Sequence, residues 1–171
     1  MNHSALIKVK SGKGKPIIDL FCAHSGTPDI AGAYLLEAMK GVTFMEDHNT
    51  MMVGEDKGTL NVNGFDALQG TVNDESLGAL VVARMFEAWN KVGQPSNLQI
   101  AANTWQKKQA VFVYTLQMRS MPSVDVAKFG QLYSDRLFLR VYHNHDLLYD
   151  GLFDEASVAL LKERYAKKLV A

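Results

Sequence analysis

Apolar and polar residues alternate along "ALIKVK" (residues 5–10), and after the turn residues "SGKGK" a mostly apolar stretch, "PIIDLF", follows. A period of two bounded by Gly and Ser marks strands, so the first 21 residues are expected to form a hairpin entering the core. Lys8, Lys10, Lys13 and Lys15 would then line one solvated edge. There they either guard an edge strand against aggregation or form a ribbon that contacts phosphate.

The pattern then shifts to a period near 3.6. Thr27 as N-cap, Pro28 at the first position and Asp29 in the first turn open a helix over about 28–40, closed by Gly41. "VTFME" returns to extended structure, "DHNTMMVGEDKG" reads as an acidic loop, and Asn63-Gly64 between short apolar runs signals a hairpin. A helix over 73–92 follows, with Asn73 as cap, Val72 and Leu77 as staple, and Val81, Met85, Ala88 and Trp89 on its buried face.

Beyond "GQPSN", the segments "LQIAAN" and "QAVFVYTLQM" read as two strands of a long antiparallel hairpin joined by the polar "TWQKK". The second is apolar enough on both faces to be central. A third helix, over 123–136, is capped by Ser123 and weakened by about 1 kcal/mol at Gly130. "FLRVYHNHDLLYDGLF" reads as a hairpin turning at Asn144-His145 with a bulge at Gly151. The last helix, over 154–170, starts at Asp154 with Phe153 and Val158 as staple, and Leu161, Tyr165 and Leu169 share one face. Strands paired by hairpins and packed by four helices predict an α+β fold with a mostly antiparallel sheet, as one globular domain over residues 1–171.

Composition narrows the classes of function. The 47% apolar and 21% charged residues are globular proportions, and 171 residues suffice for a core without disulfide or metal staples. Eighteen basic and eighteen acidic residues cancel, so no global field favours nucleic acid or membrane, and any such surface has to be local. A single cysteine, the lack of a signal-peptide pattern at the N-terminus and the lack of a long apolar run lead to the expectation of a soluble, cytoplasmic protein.

Reactive residue types gather in "IIDLFCAHSGTPDIAG", residues 17–32. A strand ending near Phe21 and a helix beginning near Thr27 leave a turn whose backbone N–H groups face a positive helix end, which suits an anion. His24, Ser25, Gly26 and Thr27 are therefore the candidate ligand-binding residues. Cys22 is expected to be a small buried apolar group. "DLFCAHSG" also resembles the cofactor-binding first motif of the DNA cytosine methyltransferases, keeping Asp19, Leu20, Phe21, Cys22 and Gly26. The resemblance implies S-adenosylmethionine or a nucleotide at 19–29, with Glu46 or Asp47 on a ribose. It covers about a dozen residues; Ala23 replaces the first glycine, and no Pro-Cys dipeptide supplies that family's catalytic cysteine.

"HNHD" brings His143, His145 and Asp146 together, and "EDH" brings Glu46, Asp47 and His48 together, mixed nitrogen and oxygen donors that suit zinc, manganese or iron. No HExxH helix, CxxC pair or G-x-S-x-G elbow accompanies them. The balance favours a binding protein that recognises a partner protein or small ligand without catalysis and without a resident cofactor or metal. The many aromatic strand residues lead to the further expectation that a sheet face left uncovered by helices would be apolar and seat a second copy as a homodimer. An enzyme or nucleotide-binding protein using the 19–29 junction, or a metal-dependent hydrolase using His143 and His145, is the alternative.

Overall fold

The computed structural model describes residues 3–39, 43–44, 71–72, 74–91, 98–101, 104–122 and 133–171. Among them the chain forms a six-stranded mixed sheet and four α-helices, the α+β architecture expected from the pattern. The strands are β1 (Ala5–Lys10), β2 (Pro16–Cys22), β5 (Leu98–Ile100), β6 (Phe112–Pro122), β7 (Tyr133–His143) and β8 (Asp146–Leu152), in the order β5-β2-β1-β6-β7-β8. Neighbours are antiparallel except β1 and β6, which run parallel with Ala5 opposite Phe112 and Lys10 opposite Gln117. Two short strands, β3 (Thr43–Phe44) and β4 (Thr71–Val72), pair parallel apart from this sheet.

The inner face of the sheet is continuous and apolar. It carries Ala5, Ile7 and Val9 from β1, Leu20 and Cys22 from β2, Phe112, Tyr114, Leu116 and Met118 from β6, and Leu137, Leu139 and Val141 from β7. Helix α1 (Ala33–Met39), preceded by a π-helical turn Pro28–Gly32, packs with α2 (Asp74–Lys91) and α4 (Glu155–Val170) in the same core. Gly78 of α2 lets that helix lie close on the sheet, because a Cβ there would stand 2.4 Å from Cγ2 of Ile17. Fully buried Trp89 meets Tyr34 edge to face at 4.5 Å, a favoured aromatic geometry.

Local signals account for the ends of α4. The Asp154 carboxylate accepts from the Ser157 N–H at 2.7 Å, while the Ser157 hydroxyl oxygen accepts from the Asp154 N–H at 2.9 Å, a reciprocal capping box. Asn144 and His145 take φ of 48° and 72°, the left-handed pair that a two-residue hairpin turn requires.

Several sequence expectations are corrected. Strands 98–100 and 112–122 do not form a hairpin: β5 joins β2, β6 joins β1, and "TWQKK" lies in helix α3 (Thr104–Gln109). The connection between them crosses the sheet instead of reversing at its edge, so β6 arrives parallel to β1. Residues 133–136 belong to β7 rather than to a helix over 123–136, because their cross-strand partners on β6 extend as far as Pro122. The bulge in the last hairpin falls at Leu148, which turns inward, while Gly151 stays in register opposite Leu139. The Asn63-Gly64 hairpin, Gly41, and residues 45–70 and 123–132 lie outside the described residues, as do the side chains of the Val72–Leu77 staple.

The packing at Trp89 generates a direct test. Its indole N–H is buried without a hydrogen-bond partner among the described residues. Trp89→Ala is expected to lower unfolding free energy by about 3–5 kcal/mol in a urea titration. Trp89→Phe should cost only about 1–2 kcal/mol, since the ring refills most of the volume and the unbonded N–H is removed.

Candidate functional site

The junction at residues 22–29 is knitted into the end of the sheet. Gly26 donates its N–H to the His3 carbonyl at 2.7 Å, and its own carbonyl accepts from the Tyr114 hydroxyl at 2.8 Å. A Cβ at Gly26 would stand 2.3 Å from the His3 oxygen, so close backbone approach requires glycine at this position. Burial pushes the Cys22 thiol up, and the neighbouring backbone N–H groups of Ser25 and His24 oppose that shift only in part. The N–H of Gly26, read from the sequence as an anion donor, thus has an acceptor inside the protein. Ser25 and Gly26 are buried, Thr27 is half-buried without a side-chain capping bond, and His24 is exposed. β2 is antiparallel to both neighbours, whereas a strand–turn–helix that cradles a nucleotide cofactor sits at the carboxyl end of a parallel sheet. Glu46, Asp47 and His48 lie outside the described residues.

His143 and His145 point different ways. The His143 ring stacks on Phe112 at 4.6 Å and meets the edge of Tyr165 at 5.4 Å, on the helix-covered side. His145 is exposed at the turn and lines the opposite face. Asp146 is held by Lys168 at 2.7 Å. Among the described residues no three His, Cys, Asp or Glu side chains are grouped to hold a metal ion.

The open feature is the outer face of the sheet. The segment carrying α3 covers its β2 end, where Lys107 binds Asp19 at 2.7 Å and Leu6 and Phe21 are buried. Beyond that cover lies a concavity of about 390 Å³, lined among others by Lys8, Lys10, Thr115, Gln117, Arg119, Phe138, Arg140 and Tyr142. Strand register sets these side chains in rows across the sheet: Lys8–Thr115–Arg140–Asp150, and Lys10–Gln117–Phe138–Leu152. The outward positions mix basic, polar and aromatic residues with aliphatic ones such as Val113 and Leu152, so this face is not the apolar patch expected from the strand sequences. Lys8 and Lys10 also guard no edge, because β1 is a central strand.

The polar groups on this face are held in place. Gln117 donates to the Ser11 carbonyl at 3.0 Å and accepts from Arg119 Nη2 at 3.1 Å and Nε at 3.3 Å. The Arg119 guanidinium lies 5.0 Å from the centre of the Phe138 ring, a cation–π contact. Arg140 forks onto Asp150 with Nη2 at 3.0 Å and Nε at 3.1 Å, which raises the guanidinium further above its ordinary range. Four cations therefore surround one carboxylate in the concavity, and among the described residues Lys8, Lys10 and Arg119 have no carboxylate partner. Such a surface attracts anions and offers planar groups for stacking.

Among the described residues these features define an α+β protein with one helix-covered sheet face and one open face that carries a basic concavity. The chain matches no protein-family model, no curated protein and no solved structure. Among the described residues no helix is long and apolar enough to cross a membrane.

His143 gives this end of the sheet a pH dependence of known sign. Burial, with Lys168 and His3 adding positive charge nearby, pulls its pKa below the ordinary 6.5, and Asp146 opposes this only in part. Protonation is then easier in the unfolded chain, so the stabilising contribution is complete above pH 6.5 and is lost as pH falls toward the lowered folded value. Thermal melts from pH 7.5 to 4.5 should show Tm falling below about pH 6.5. His143→Phe, which keeps the stack, should make the fall shallower.

Proposed function

We propose that the protein is a binding protein, acting without catalysis, whose working surface is the uncovered face of its sheet and whose ligand is anionic. One observation carries this reading: Lys8, Lys10 and Arg119, without carboxylate partners among the described residues, line a single concavity on a chain of zero formal charge. Like charges gathered on one face oppose folding, and a bound anion relieves that repulsion. The reading places the protein in the reducing cytoplasm, which suits the buried, unpaired Cys22.

Heparin–agarose chromatography tests it. The wild-type protein should be retained at low salt, and Lys8→Glu combined with Lys10→Glu should elute at clearly lower salt. Lys162→Glu combined with Lys167→Glu, the same charge change on α4, should elute close to wild type. Equal elution of the two double variants would remove the sheet face as the binding surface.

A second reading concerns self-association. β8 is a free edge of the sheet among the described residues, and it exposes Leu147 (54%) and Leu152 (40%). Long edges with exposed apolar residues pair with other chains, and a second copy paired at β8 would extend the basic face. Sedimentation equilibrium should give about twice the 19.0 kDa chain mass, falling to one chain for Leu147→Glu combined with Leu152→Glu. A wild-type monomer at tens of micromolar would end this reading.

A further inference from the structure

We infer that the open sheet face is a binding surface for single-stranded nucleic acid. The inference rests on the reading of that face as an anion-binding surface and adds the class of anion. On β7, Phe138, Arg140 and Tyr142 project from the same side of the strand, so aromatic and basic groups alternate along one line. Phe138 and Tyr142 are about 13 Å apart at ~3.3 Å per residue, with Arg140 between them. Together, Lys8 and Lys10 on β1, Arg119 on β6 and Arg140 on β7 place cations on three strands, about 10 Å across at ~4.8 Å per strand gap.

Spread cations match a repeating charge better than a single phosphate does. Rings among them match bases, because base–aromatic stacking needs only a flat face and is indifferent to sequence. An acidic peptide would be served by the cations alone and would leave Phe138 and Tyr142 without a role. Arg119 already covers one side of the Phe138 ring, and its guanidinium is held by Gln117, which in turn bonds to Ser11. The platform is therefore oriented before any ligand arrives. Thr115, in the row between Lys8 and Arg140, adds a hydrogen-bonding hydroxyl.

Fluorescence anisotropy with fluorescein-labelled dT12 tests the inference, with rU12 and a labelled twelve-residue glutamate peptide as parallel probes. Saturable dT12 or rU12 binding is expected at 50 mM NaCl. With about three phosphate contacts it should weaken about 20-fold by 200 mM. Lys8→Glu combined with Lys10→Glu should lose at least about 10-fold in affinity. Phe138→Leu and Tyr142→Leu, which keep an apolar side chain, should each lose about 5-fold or more while eluting unchanged from heparin. No binding of either oligonucleotide at 50 mM NaCl would overturn the inference, and retention on heparin would then leave the anion-binding reading standing. Equal affinity for the glutamate peptide, or wild-type affinity in both aromatic variants, would also overturn it, pointing instead to an acidic segment of a protein partner.

Discussion

The sheet holds together through the pairing of β1 with β6. Without it there would be two three-stranded pieces, β5-β2-β1 and β6-β7-β8, and the continuous apolar face on which the helices pack would be cut in two. Parallel pairing is slightly weaker per residue than antiparallel pairing, and here side chains and loops clamp both ends. At one end the Ser4 carbonyl accepts from the N–H groups of Val111 and Phe112, and the Ser4 hydroxyl donates to Gln109. At the other, Gln117 reaches the Ser11 carbonyl in the β1–β2 turn. The same register sets Lys8 and Lys10 beside Thr115 and Gln117, so the pairing that closes the core also assembles the open face.

The two faces of the sheet answer to different constraints. Inward, close approach and burial dominate: glycine is required at residue 26, and the Tyr114 hydroxyl, kept protonated by deep burial, reaches its carbonyl. Outward, the residues could be exchanged for neutral polar ones without disturbing the core. Yet β1, β6 and β7 carry cations at neighbouring outward positions, where mutual repulsion works against folding. Departures of this kind from what a fold alone would choose are expected at surfaces kept for a ligand.

Elements with strong local signals were legible in the sequence. The start of α4 at Asp154, the Asn144-His145 turn, the first hairpin and the buried stripe of α2 each depend on residues a few positions apart. What escaped depends on residues far apart. The alternation in "IKVK" and in "FLRVY" was visible, but nothing local shows that the two strands lie one strand apart on the same face. Reading Lys8 and Lys10 as edge guards followed from assuming that the N-terminal hairpin lay at the border of the sheet. The chemically loaded turn at His24–Thr27 attracted attention for residue types that the fold uses in part for backbone approach and burial. Only the position of β6 beside β1 separates these cases.

The distance along the chain between β1 and β6 also governs how the protein comes into being. Ala5 finds its partner at Phe112, more than a hundred residues later. Contacts between positions so far apart are slow to form, because loop-closure entropy is lost before the strands can reward it. On a ribosome adding about 5–20 residues per second, the N-terminal hairpin waits seconds with one side of β1 unpaired. During that interval Ile7 and Val9 have no inner-face neighbour from β6. The lysines alternating with them keep the waiting strand soluble, which gives the cations of the finished face an earlier duty as guardians of a nascent edge.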